Sequence, residues 1–280
     1  MDTERKSEIP VNHLSKVTNG RFMLHTRRNG ETNLRHPHRD DYYMFGIILS
    51  GETTLSIDFK AITISTHQAI IVSPGQVHRP VGEFKADGFI LALPPDALSE
   101  NDIPVLEEYA LTTAPFNIEE TDFSDILALY TVLNNRVNRI GGNTTEVEFA
   151  IASAIKRLFL QNLPIKEATT PNRYKKLVIK LNHLLKDNFI NEKRPTAYAA
   201  MLNVSGVYLN EAVKNVTGVS VSNYIATFTM LAAKRNLVYT DDSAQEIAYK
   251  LGFEDYSYFS RLFRKQSGMS PREFRLKYRE

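Results

Sequence analysis

Between residue 21 and about residue 93 the apolar positions come in short runs, at 22–24, 42–49, 53–59, 62–64, 69–72 and 89–93. The runs are rich in branched and aromatic side chains, and Ser50-Gly51-Glu52, Pro74-Gly75 and Val81-Gly82 punctuate them, as expected of β-strands joined by turns. Thr53, Leu55, Ile57 and Phe59 interleave with Thr54, Ser56 and Asp58, the period of two of a half-buried strand. Many short strands at regular spacing predict a barrel or a sandwich, with a hairpin around Gly51.

Past residue 102 the period changes. Ile126, Tyr130, Leu133, Val137 and Ile140 recur in steps of three and four, one apolar stripe of a helix. Gly141-Gly142 breaks the stripe. Thr145 then leads into Val147, Ile151, Ile155 and Leu158, with Phe149 and Phe159 widening the face. An antiparallel helical hairpin over about 102–163 follows. Residues 164–172, with Pro164 and Pro171, are polar and aperiodic and read as a linker.

The last hundred residues repeat one grammar twice. Pro195 opens a short helix through Leu202, Asn203-Val204 turns the chain, and Ser205 caps a second helix that closes at Gly218. About fifty residues later Ser243, with Glu246 three positions on, forms a capping box. That short helix stops at Gly252, and a further helix from Ser257 buries Phe259, Leu262 and Phe263 before closing at Gly268. Between the two units, Ser220 to Val238 contains neither proline nor glycine. One helix of that length is a rod of roughly 28 Å. Such a strut sets two helices about one DNA turn, near 34 Å, apart. A short helix, a turn and a second helix with a polar, basic outer face suit the major groove.

Charge agrees. Residues 173–280 hold 18 Lys and Arg against 10 Asp and Glu, a net +8, and residues 1–172 hold 16 against 22, a net −6. Together they give the chain's +2. Lysines and arginines also solubilise helical faces, so the asymmetry gains its meaning from the motifs beside it. At 280 residues there is room for two domains. No apolar run approaches a membrane span, and Met1 to Lys6 lacks the apolar core of a signal peptide. The chain has no cysteine, which excludes disulfides and thiolate metal sites. It also excludes the DNA-repair methyl acceptors that carry a similar DNA-binding unit. These properties suit the cytoplasm of a microbe.

Residues 173–280 resemble the double helix-turn-helix domain of AraC/XylS-family transcription regulators. The residues that carry the likeness are Ile247-Ala248, Gly252-Phe253, Ser257-Tyr258-Phe259, Phe263-Arg264-Lys265, and the tail Gly268, Ser270-Pro271 and Phe274-Arg275. The front part, 1–163, resembles the cupin-like sensor domain of that family, through His36-Pro37-His38, Asp41 and Pro74-Gly75 to His78. The expected class is α+β: a cupin-like β-barrel over about 15–98 with a helical hairpin, then an all-α domain with two helix-turn-helix units. The resemblance implies a cytoplasmic, effector-responsive regulator, most often an activator that recruits RNA polymerase. Its partners would be double-stranded DNA and a small-molecule effector, and the second hairpin helix would make a homodimer if it does not simply cover the barrel.

Metal-binding cupins suggest His36, His38, Asp41 and His78 as ligands, a set that suits first-row metals. A glutamate normally follows the histidine pair, however, and only Asp40 and Asp41 stand there. Sensor cupins of the family commonly lack metal. The reading therefore carries no metal, no cofactor and no catalytic residue, and gives His36, His38, Tyr43, His78 and Arg79 to a ligand cavity or to ordinary hydrogen bonding. A cupin metalloenzyme with an accessory DNA-binding domain is the alternative.

For DNA, the resemblance puts base-reading positions on Val207, Asn210 and Glu211. Asparagine can bond adenine and glutamate can accept from cytosine, although a glutamate also repels phosphate. In the second unit Tyr256, Ser257, Ser260 and Arg261 face outward. Arg261 is the candidate for guanine, with a phosphate contact or a salt bridge as its other possible role. Lys214, Arg264 and Lys265 are the candidate phosphate neighbours.

Overall fold

The computed structural model describes residues 9–17, 21–30, 37–139, 145–164 and 172–279. His36, Ile140, Gly141, Gly142 and most of the expected linker lie outside them. The chain divides into two compact units, one spanning Pro10–Ile165 and one containing Lys166–Glu280.

The first unit comprises β1 (Val11–Asn12), α1 (Leu14–Val17), β2 (Met23–Arg27), β3 (Arg39–Asp40), β4 (Tyr43–Ile57), β5 (Lys60–Ser65), β6 (Gln68–Val72), β7 (His78–Pro80), β8 (Lys85–Leu93), α2 (Asp102–Ala110), β9 (Phe116–Asn117), α3 (Glu120–Arg139) and α4 (Glu146–Gln161). An antiparallel sheet runs β2-β8-β4-β6-β9, with β5 and β7 also paired to β4, while β1 and β3 form a small parallel pair. Alternation along β4 divides the interior. Phe45 and Ile47 join a core with Ile126 and Leu133 of α3 and Ile155 and Phe159 of α4. Ile48 and Ile57 join a second cluster with Ile62, Ile64, Ile70 and Val72.

The expected hairpin at Gly51 is absent. The strand runs through 50–52, and its register with β8 shifts between Ile48 and Ser50, which is how a bulge bends a strand without ending it. Gly51 has a φ of +81°, and a Cβ there would lie 2.3 Å from the carbonyl oxygen of Lys85. The chain reverses instead at Asp58 and Phe59, with φ of 49° and 70°, the two-residue turn that matches strand twist.

The expected stripe on α4 is also rotated. Val147 is exposed, whereas Glu148, Ala152, Ile155, Lys156 and Phe159 are buried. Two charged side chains enter because partners await them. Glu148 completes a capping box with Thr145 and accepts from Arg136 Nε at 2.5 Å. Lys156 Nζ donates to Asp102 at 2.6 Å. Burial pushes the Asp102 carboxyl pKa up, but the bonds from Lys156 and Ser99 outweigh it and leave the group below its ordinary range.

The described secondary-structure elements of the second unit are all helices: α5 (Asn172–Asn188), α6 (Pro195–Met201), α7 (Gly206–Thr217), α8 (Val221–Tyr239), α9 (Ala244–Lys250), α10 (Tyr256–Ser267) and α11 (Pro271–Tyr278). Among them α8 contacts α6 and α7 on one side of the repeat and α9, α10 and α11 on the other. It buries Ile225, Met230, Ala233 and Leu237. Arg275 Nε donates to the Leu237 carbonyl at 2.7 Å, fastening the tail to the end of α8. No single described helix is long and apolar enough to cross a membrane.

Gly252, at a φ of +75°, has no room for a side chain: a Cβ would lie 2.0 Å from the Ile190 carbonyl oxygen. Gly268, at a φ of +77°, faces open space. Gly268→Ala should therefore lose about 1–2 kcal/mol from left-handed backbone alone, and Gly252→Ala distinctly more. Urea midpoints of the helical unit, followed by circular dichroism, check this order; equal losses would refute it.

Candidate nucleic-acid interface and effector cavity

Each helix-turn-helix presents its second helix on a capped start. The Ser205 hydroxyl accepts from the Tyr208 amide at 3.1 Å, and Asp255 accepts from the amides of Ser257 and Tyr258 at 2.7 and 3.2 Å. The inward faces are Leu209, Ala212 and Val213 on α7 and Phe259 and Phe263 on α10. The opposite faces stay in solvent. Val207 is 81% exposed at the start of α7. Glu211, Lys214, Ser257, Arg261, Arg264 and Lys265 are exposed as well. The side chains of Lys214, Arg261, Arg264 and Lys265 form no hydrogen bond or ion pair among the described residues.

Two of the proposed base readers are engaged inside the protein. Asn210 Oδ1 accepts from the Val221 amide at 3.1 Å, joining α7 to the first turn of α8. Glu211 accepts from the Tyr174 hydroxyl at 2.6 Å, and that ring packs edge-on against Tyr208. Asn210 thus keeps its amide NH2 and one lone pair of Oδ1 for outside partners. On α10, Tyr256 and Ser260 are half-buried, and the Tyr256 ring rests 6.2 Å from that of Phe259.

In the first unit the sheet surrounds a cavity of about 340 Å3. Met44, Ile48, Leu55, Ile64 and Phe84 supply apolar wall, and His25, Arg27, His38, Tyr42 and His78 supply polar groups. Such a surface, mostly apolar with a few fixed polar atoms, is that of a small-molecule site. His38 and His78 line the cavity. Tyr43 and Arg79 are not among its lining residues. Successive residues of a strand face opposite ways, so Tyr42 takes the place expected of Tyr43, and His78 and Pro80 flank Arg79 on the cavity side. Met23, His25 and Arg27, on alternate positions of β2, were missed by sequence reasoning, because a single five-residue strand does not show which face looks inward.

Residues 38–40 and 78 form a tight group. His38 and His78 exchange backbone hydrogen bonds at 3.3 and 3.0 Å, so they are directly opposed, and their rings lie 4.4 Å apart. Asp40, two residues on, shares the face of His38 and is 4% exposed. Its oxygens stand 3.9 Å from His38 Nε2 and 3.4 Å from His78 Nε2. Burial and then the neighbouring His38 lower the His78 pKa against the pull of Asp40. Burial, reinforced by Asp40, raises that of Tyr42. Asp41, the carboxylate expected in this group, points elsewhere: it accepts from His13 Nδ1 at 2.7 Å and from the Leu14 amide at 3.1 Å.

Residues 23–109 match the AraC-like ligand binding domain, and residues 198–277 match a helix-turn-helix domain. The chain belongs to the AraC/XylS family of transcription regulators. Among relatives of this AraC-family chain is the HTH-type transcriptional activator RhaS of Enterobacter sp. (strain 638), 35% identical over 99 residues, which are 34% of this chain and 36% of the relative. RhaS of Escherichia fergusonii is 36% identical over 99 residues, with the same coverage. The chain spans about a third of the length of the curated relatives it matches. Similar solved structures include ToxT of Vibrio cholerae, at 16% identity and a TM-score of 0.44 over 92% of this chain and 98% of that one. The C-terminal domain of AraT from Geobacillus stearothermophilus is 26% identical, with a TM-score of 0.36 over 40% of this chain and 91% of that one.

Proposed function

We propose that this AraC-family chain is a sequence-specific DNA-binding activator whose affinity for promoter DNA responds to a small molecule held in the sheet cavity. The observation that carries the reading is the pair of capped helices, α7 and α10, with outward faces that bear exposed cations. Lys214, Arg264 and Lys265 would meet phosphates and fix the register of the protein on the duplex. Arg261, on the exposed face of α10, would read a guanine through its two-pronged guanidinium. On α7 the exposed Val207 suits a thymine methyl, while Asn210 and Glu211 each already hold one internal hydrogen bond.

The cavity selects a ligand with a largely apolar body and a few polar atoms. A ligand of this kind changes DNA affinity only by binding the active and inactive arrangements unequally. RNA polymerase is the natural partner of an activator in the cytoplasm. A homodimer through α4 is supported by the exposed Val147 beside the half-buried Ile151 and Leu158.

Arg261→Ala should weaken binding to the protein's own operator, selected from a random pool, by roughly 1–3 kcal/mol while leaving random DNA almost unaffected. Fluorescence anisotropy measures both, and equal losses would make Arg261 a backbone anchor. Lys265→Gln should weaken all sequences alike and reduce the slope of log affinity against log salt by about 1; an unchanged slope would remove the phosphate role.

A further inference from the structure

Asp40 is a buried carboxyl group facing two imidazoles, with the Tyr42 hydroxyl as its other polar neighbour. Neither of its oxygens has a hydrogen-bond partner. His78 Nδ1 lies 3.1 Å from the Gln76 carbonyl oxygen. A carbonyl only accepts, so Nδ1 is the nitrogen that donates to it, and Nε2 is the atom turned toward Asp40, 3.4 Å away. A buried carboxylate beside two imidazole nitrogens, with no hydrogen bond to either, suits a cation shared among the three. A backbone carbonyl that holds the far nitrogen of an imidazole is also the usual means of orienting a metal-binding histidine.

The spacing suits an ion. Ligand atoms about 2.0–2.1 Å from a tetrahedral zinc are roughly 3.4 Å from each other. The Asp40 to His78 separation is 3.4 Å, the Asp40 to His38 separation is 3.9 Å, and all three donor atoms lie within 4.8 Å of one another. Strand register produces this set: the extended backbone leading into β3 puts His38 and Asp40 on one face, and the bridge between His38 and His78 puts His78 opposite.

We infer that His38, Asp40 and His78 hold one divalent first-row transition-metal ion at the wall of the sheet cavity. Two imidazoles and one carboxylate leave coordination positions open. His38 and His78 both line the cavity, so a ligand offering an oxygen donor would complete the shell there. The inference does not depend on DNA recognition by the helical unit.

The test uses the tag-free full chain, stripped with a chelator and titrated with Co2+, whose visible ligand-field bands report coordination. One Co2+ per chain is expected, with bands that shift on imidazole and carboxylate binding. Asp40→Asn and His78→Gln should each abolish the bands, while Asp41→Asn, the neighbouring carboxylate, should keep them. Far-UV circular dichroism checks that each variant is folded. Absence of bands in the unaltered protein would overturn the inference without recourse to any variant. Bands that survive in folded Asp40→Asn would overturn it as well. DNA binding by the stripped protein, measured in parallel, separates failure of this site from failure of the regulator reading.

Discussion

The first unit depends on a single long strand that is hydrogen-bonded along both edges. Over Tyr43–Ile57, β4 pairs with β8 and β6 in its first half and with β5, β7 and the start of β8 in its second. Backbone polar groups in a sheet interior have to be paired, so its side chains have no freedom over which face they occupy. Odd positions near its start feed the core shared with α3 and α4, while Met44, Gly46 and Ile48 border the cavity. A slip of one residue would exchange the two sets. The bulge before Ser50 is what lets one strand serve both halves.

In the helical unit the comparable element is α8. Its buried positions touch both halves of the repeat, and its two ends are tied by side chains from elsewhere. Asn210 bonds the Val221 amide at the start and Arg275 the Leu237 carbonyl at the finish. These bonds occupy backbone groups that a helix leaves unsatisfied at its termini. The presentation of α7 and α10 thus rests on ordinary helix capping and on an aromatic chain through Phe259, Phe263 and Phe274.

Much of this was legible in the residues. Ser205, Ser243 and Gly252 announce the helical unit because caps and left-handed stops are local physics, written in adjacent positions. Departures occur where a distant partner decides. Glu148 and Lys156 look like surface charges until Arg136 and Asp102 are brought beside them. Gly51 looks like a turn until β8 passes close by. Asp40 and Asp41 are indistinguishable in sequence, and only the parity of β3 separates the one that faces the histidines from the one that meets His13. Tyr42 and Tyr43 differ for the same reason.

The tie between Asn210 and α8 has an evolutionary corollary. A residue that braces its own scaffold is not free to drift, since each exchange disturbs folding. Val207 carries no such duty: it reaches solvent from the first turn of α7 and supports nothing behind it. Divergence among paralogues should therefore accumulate at 207 first, with 210 held by the backbone amide it caps and 211 changing only alongside Tyr174.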